Sequence, residues 1–186
     1  MKRAMVMCAV FVMTAPVWGG GFREQVVSAD ANWVVHIDFD RFRGTTIADT
    51  IHQHIDAHPQ ASALAVLENT FQLNVRRDFH GMTLYGPDRD EDKAVLVLRT
   101  NYRKQALLDL MQTGGQYEST TYGAWQLYRF EAKRHRRKDT EQRTDTAWAV
   151  FFDDQTIVMA RAQNRLQHAL DVLVGDDSNL GDSSTS

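Results

Sequence analysis

The chain has 186 residues, of which 21 are basic and 24 acidic, so its formal net charge is −3. This mild acidity argues against a nucleic-acid-binding protein, which normally carries a basic excess over a whole face. Hydrophobic residues make up 43% of the chain, enough to build a core in one domain of ordinary size. Cys8 is the single cysteine, which excludes a disulfide framework or a cysteine zinc site.

The N-terminal stretch, residues 1–20, has the layout of a secretory signal peptide. Lys2 and Arg3 precede an apolar run over residues 4–13, and a turn-forming stretch of small residues follows. A membrane-spanning helix needs roughly 20 apolar residues, so the pattern favours cleavage over anchoring. Cys8 lies inside the apolar run and not at a cleavage point, which argues against a lipid anchor. We expect a secreted or periplasmic protein without a stable membrane anchor.

The cleavage point is narrowed by the rule that small residues precede it. Val17 and Gly19 fit this rule, while Ala29 with Ala31 offers a later alternative. We favour cleavage near Gly19 or Gly20. Loss of Lys2 and Arg3 would leave 19 basic residues against 24 acidic ones, a mature net charge of −5.

Residues 21–31 are predicted to be an N-terminal linker, residues 32–175 a single α+β domain, and residues 176–186 a disordered polar tail. Alternation of apolar and polar residues over 33–40 predicts a half-buried strand. We expect its polar side to lie on an open face of the sheet.

The next segments alternate between helical and extended patterns. Thr45 or Thr46 is suited to cap a helix with isoleucines at 47, 51 and 55, and a second helical segment follows Pro59. Further strands are predicted at residues 79–85, 94–99, 124–131, 147–152 and 156–160, with helices at 103–112 and 162–174. Gly175 is a typical C-terminal stop.

This order of elements predicts a ferredoxin-like (split βαβ) α+β fold. We expect an antiparallel or mixed sheet with helices on one face, to which a C-terminal hairpin and helix are added.

Four segments carry a family resemblance: "ANWVVHIDFDRFRGTTIAD", "FHGMTLYGPDRDEDKAVLVLR", "YGAWQLYRF" and "RLQHALDVLVGDDSNL". In this order they resemble segments of a family of uncharacterised exported bacterial proteins. Members of that family are often longer and carry a second comparable half, so this chain is similar to one half of a duplicated α+β architecture. The resemblance implies export and a sheet domain, and it implies no activity.

The strongest candidate site is the row His36, Asp38 and Asp40, which strand alternation directs to one side. Imidazole and carboxylate ligands suit zinc or manganese, and His80 of the second strand joins them if the two strands pair in register. Same-side residues lie ~7 Å apart along a strand, so one ion can bridge the row only where the strand bends. We therefore favour a solvated strand face over a divalent metal site.

Two further clusters have similar alternatives. His54 and His58 are spaced to bind a metal from one helical face with His52 nearby, but the glutamate of zinc proteases is replaced by Ile55, and we favour exposed histidines.

A basic run is suited to an anionic polymer but lacks interleaved aromatic residues, and we favour a solvated hairpin tip. The run's basic residues are Lys133, Arg134, Arg136, Arg137 and Lys138.

The sequence favours an exported, non-enzymatic binding or structural module without a cofactor, and without nucleic acid as a partner. A homodimer or another envelope protein is the expected partner, because half of a duplicated architecture would leave apolar surface to cover. We also expect the strand at residues 147–152 to offer backbone hydrogen bonds to a partner if it lies at a sheet edge. The alternative function is a metal-dependent hydrolase that uses His36, Asp38, Asp40 and His80.

Overall fold

The structure is a computed structural model, and it describes residues 20–57, 68, 73–114, 117–134 and 143–183. Most of the predicted signal peptide, at residues 1–19, lies outside the described residues. The second helical segment after Pro59 also falls largely outside them, as do residues 135–142 of the basic loop.

The protein is an α+β fold built on one antiparallel sheet. Seven strands are found in the described part of the chain: β1 Trp33–Asp38, β2 Phe79–Gly86, β3 Val95–Thr100, β4 Glu118–Tyr122, β5 Trp125–Arg134, β6 Arg143–Phe151 and β7 Thr156–Ala160. Their order across the sheet is β1-β2-β3-β7-β6-β5-β4. Every neighbouring pair is antiparallel.

The described residues contain six helices: α1 Phe39–Phe42, α2 Thr46–Asp56, α3 Val75–Asp78, α4 Lys104–Gly114, α5 Gln163–Val174 and α6 Leu180–Ser183. Thr45 caps α2 as predicted, because its Oγ1 accepts from the N–H of Ala48 at 3.2 Å. Gly175 ends α5 in the left-handed conformation, with φ of 84°. Within the described residues, no helix is both long and apolar enough to cross a bilayer.

The α+β class and the antiparallel sheet are confirmed, but the ferredoxin-like plan is not. A split βαβ arrangement would separate the first two strands, whereas β1 pairs directly with β2 and the sheet is larger. The predicted C-terminal hairpin is β6–β7, and β7 inserts beside β3 at the centre of the sheet. The strand at residues 147–152 is thus interior, and the edge strands are β1 and β4.

We call the sheet surface that bears His36 the first face. Strand register aligns His36 with Thr83, Val97, Val158, Val150 and Leu127 across six strands. Helix α5 packs on this face, and its Leu166 and Leu170 are fully buried in the main hydrophobic core. The core therefore lies between α5 and the first face.

We call the opposite surface of the sheet the second face. Over six of the seven strands, one row of paired residues on it carries aliphatic or aromatic side chains: Val35, Leu84, Leu96, Met159, Ala149 and Tyr128. Lys104, the first residue of α4, places its Nζ 5.8 Å from the ring centroid of Tyr128 and 5.4 Å from that of Phe151. Helices therefore lie on both faces of the sheet, whereas the sequence predicts helices on one.

The segment before β1 differs from the predicted linker. It forms a short 3-10 helix, Glu24–Val26, and Val27 is fully buried in the core. The predicted disordered tail is also ordered as far as residue 183: Ser28 forms a β-bridge with Asn179, and the N–H of Leu180 donates to the Val27 carbonyl at 2.8 Å. Residues 20–31 and 176–183 therefore contact each other, and both segments belong to the packed domain.

Candidate functional site

Asp40 and His80 meet at the end of the sheet although 40 residues separate them. β1 ends at Asp38, so Asp40 lies on α1 and turns away from the strand row. The Asp40 Oδ1 atom lies 3.0 Å from His80 Nδ1 and 2.8 Å from Arg43 Nη2. Arg43 also donates to the backbone carbonyl of Phe79, which starts β2. These bonds tie α1 to the beginning of β2.

His36 lies on β1 opposite Thr83 of β2. Its Nε2 lies 3.0 Å from the carbonyl oxygen of Gly20, and its Nδ1 lies 2.9 Å from Thr83 Oγ1. Because a carbonyl only accepts, Nε2 must carry a proton, and in the neutral ring Nδ1 accepts from the Thr83 hydroxyl. Both ring nitrogens are engaged, so a metal ion would have to displace one of these bonds.

Asp38 has a structural partner of its own. Its Oδ1 accepts from the N–H of Arg41 at 3.0 Å and so caps α1. The three-residue row predicted for β1 is thus divided: His36 stays on the strand, Asp38 caps the helix and Asp40 points to His80. Within the described residues, no three His, Cys, Asp or Glu side chains are grouped to hold a metal ion.

The polar side of β1 does not lie on an open face, which corrects the sequence expectation. Val34, on the same side as His36, packs against the main core, whereas Val35 on the other side is 49% exposed. Pairing explains this orientation, because Val34 lies opposite Tyr85, whose side chain is fully buried under α5. The first face is the covered one at β1, and residues 20–26 pass over it.

Gly20 makes the closest approach in this region. It is buried, and its N–H donates to Asp40 Oδ2 at 3.1 Å. A Cβ placed on Gly20 would come 2.0 Å from the carbonyl oxygen of His80, and one placed on Gly81 would come 2.7 Å from the carbonyl oxygen of Gly20. These separations leave room for glycine at both positions and for no larger residue without a backbone shift.

A small cavity lies beside His36, between residues 21–26 and the first face. Its volume is about 80 Å³, and Arg23 and Arg99 contribute to its wall. Burial, assisted by the charge of Arg99, lowers the pKa of Arg23. Pockets for organic ligands typically measure about 300–1,000 Å³. The cavity therefore has room for a few water molecules or a small ion.

A second polar cluster joins the N-terminal segment to α5. His168 Nε2 lies 3.5 Å from Ser28 Oγ and 3.0 Å from Asp177 Oδ2. A catalytic triad needs the serine and the carboxylate on opposite ring nitrogens, whereas here both face Nε2.

Arg165 pairs with Asp30 at 2.8 Å. Burial would raise the pKa of Asp30, but the hydrogen bonds from Arg165 and Ser28 outweigh it and hold that pKa below its usual value.

The other sequence candidates are described only in part. His52 is half-buried on α2 and His54 is exposed, while His58 lies outside the described residues. Lys133 and Arg134 belong to the end of β5, and the remaining basic residues of the run, Arg136, Arg137 and Lys138, also lie outside the described residues. The metal and anion assignments of these clusters stay predictions.

Comparison with known proteins adds no family assignment. No protein-family model matches the chain, and neither a curated protein nor a solved structure is significantly similar to it.

Sequence reasoning missed three residues that contact Asp40 or His36: Gly20, Arg43 and Thr83. Arg43 has a local signal, because it follows Asp40 by three residues and can pair with it on one helical turn. Thr83 follows from the register of β1 with β2, once that register is known. Gly20 has no such signal, since its contacts come from a segment that enters from outside the sheet.

Proposed function

We propose that the protein is an exported, non-enzymatic structural module that self-associates through the second face of its sheet. The observation that carries this proposal is the unbroken apolar row from Tyr128 to Val35. Tyr128 is 7% exposed, whereas Val35 at the edge strand is 49% exposed. The apolar surface therefore continues to the edge of the sheet and reaches solvent there.

Helix α2 also carries exposed apolar side chains. Its Ile47 and Ile51 are 65% and 43% exposed, whereas Ala48 is fully buried. Ile47 and Ile51 belong to the isoleucine repeat that predicts an inward helix face, and both are exposed instead. Exposed apolar surface of this kind marks interaction sites, and a symmetric pair of identical chains is the simplest way to cover it.

Export is supported by the basic start, the apolar run over residues 4–13 and the small residues that follow. Fractionation of cells that express the full chain tests this part of the proposal. Recovery from the cytosol with Met1 intact would contradict export.

Light scattering on the exported protein tests self-association. We expect the mass to rise towards that of a dimer as concentration increases to about 100 μM, a range in which even pairs of micromolar affinity form. Val35→Asp should weaken association at least about tenfold, because it buries a carboxylate at the contact. Val174→Asp is the matched control, since Val174 is 42% exposed at the end of α5. A monomer mass at every concentration would overturn self-association.

The metal-dependent hydrolase remains an alternative with its own test. Calorimetric titration of the chelator-treated protein with zinc or manganese should show no saturable binding if His36 and Asp40 serve the internal bonds described above. Stoichiometric binding that His36→Ala abolishes would favour the hydrolase.

A further inference from the structure

The polar group around Asp40 holds both backbone groups of Gly20. Asp40 Oδ2 accepts from the Gly20 nitrogen at 3.1 Å, and His36 Nε2 donates to the Gly20 carbonyl at 3.0 Å. Gly20 is buried there. The two bonds come from side chains on α1 and β1. Together they hold both the N–H and the carbonyl group of Gly20.

Carboxylate oxygens of α1 and the end of β1 lie beside Gly20. Arg43 contacts Asp40 through Oδ1 at 2.8 Å, whereas Oδ2 accepts from the Gly20 N–H at 3.1 Å and also lies 3.2 Å from His80 Nδ1. Asp38 adds a second carboxylate, since its Oδ1 would lie 2.9 Å from a Cβ placed on Gly20. A backbone N–H at this position offers one hydrogen-bond donor and carries no net charge. An ammonium group would offer three donors and a full positive charge.

We propose that this pocket binds the α-ammonium group that signal-peptide cleavage creates on Gly20. A signal peptidase would hydrolyse the Gly19–Gly20 bond with one water molecule, leaving a carboxylate on Gly19 and an ammonium group on Gly20. Val17 and Gly19 precede this bond at the positions where the cleavage rule requires small residues. The inference rests on the export proposed above, and it adds a specific mature N-terminus and the site that receives it.

The steric fit selects glycine at the first mature position. A side chain on Gly20 would collide with the backbone of His80, whereas a Cβ on the adjacent Gly21 meets nothing within 4 Å. The pocket thus accepts a chain end that has no side chain and flanks it with carboxylates. Binding of this chain end would hold residues 20–26 against the first face, next to the buried Val27.

Expression of the full chain in an exporting bacterium, followed by purification of the processed protein, tests the proposal in two stages. Intact mass should place the mature N-terminus at Gly20. An amine-acetylating reagent at near-neutral pH should then modify the Gly20 amine at least about tenfold more slowly in the folded protein than in urea, because reaction requires local opening. Peptide mass spectrometry measures the rate, with exposed lysines as internal reference.

Two pairs of variants separate the pocket from general effects on the fold. Asp40→Asn should speed acetylation of the Gly20 amine severalfold, whereas Asp49→Asn, at an exposed position on α2, should not. Gly20→Ala should also remove the protection, whereas Gly21→Ala should retain it.

The possible outcomes separate export, the cleavage position and the Gly20 pocket. A mature chain that starts at another residue overturns this inference and leaves export standing, whereas an unprocessed cytosolic chain overturns export itself. A Gly20 amine that reacts equally fast in folded and unfolded protein overturns the pocket, even if cleavage occurs at the expected bond.

Discussion

Replacing Val27 by alanine tests whether the segment before β1 is part of the core. Val27 is fully buried among core residues that include Leu166 and Leu170. The substitution removes the equivalent of two methylene groups, each contributing about 0.8 kcal/mol, and it leaves a cavity that adds to the cost. We expect the free energy of unfolding to fall by about 2–3 kcal/mol.

Urea unfolding followed by circular dichroism measures this loss. For a chain of this size, each kcal/mol corresponds to about 2–4 °C in Tm, so thermal unfolding should shift down by about 4–12 °C. Val174→Ala is the control, because Val174 is 42% exposed and its truncation should change stability by less than about 0.5 kcal/mol. Equal stability of the two variants would show that residues 20–31 behave as a linker, and the reasoning from burial would fail.

Two further predictions concern a buried carboxylate and a helix end. Asp78 is buried and accepts hydrogen bonds from Arg77 Nε at 2.9 Å and from the N–H of Asn74 at 2.7 Å. The Arg77 hydrogen bond, which outweighs the effect of burial, holds the pKa of Asp78 below its usual value. A lowered folded-state pKa stabilises the protein above the unfolded-state pKa, and this contribution is lost as the pH falls through the folded-state pKa. Asp78→Asn should therefore cost about 1–3 kcal/mol near neutral pH and progressively less in acid, and urea unfolding curves that stay equally far apart down to about pH 2 would contradict this. Gly175→Ala should destabilise the protein by about 1–2 kcal/mol, because φ of 84° is strained for alanine. Gly44→Ala, which meets nothing within 4 Å, is the thermal-unfolding control, and an equal Tm for both would refute the strain argument.

Local features of the fold could be predicted from sequence because they depend on neighbouring residues. The strand Thr156–Ala160 has the predicted bounds, and Gly175 ends α5 where the pattern places the stop. The inward residues of α5, such as Leu166 and Leu170, are also buried as their spacing indicates. In these elements the period of apolar residues and the termination signals act within one or two turns of chain. The short strand β4 was missed, since Glu118–Tyr122 carries little apolar alternation.

Which side of β1 is covered was decided only by the tertiary structure. Alternation distinguishes two sides of a strand, but the partner strand and the segments that pack on the sheet select between them. Pairing of Val34 with the buried Tyr85 turned the polar side inward, where Gly20 supplies a partner for His36. Likewise, Asp40 and His80 meet because α1 turns back onto the start of β2, a contact between residues 40 positions apart. The sequence by itself determined the residue types available for this site, and long-range pairing determined that they enclose the backbone of Gly20.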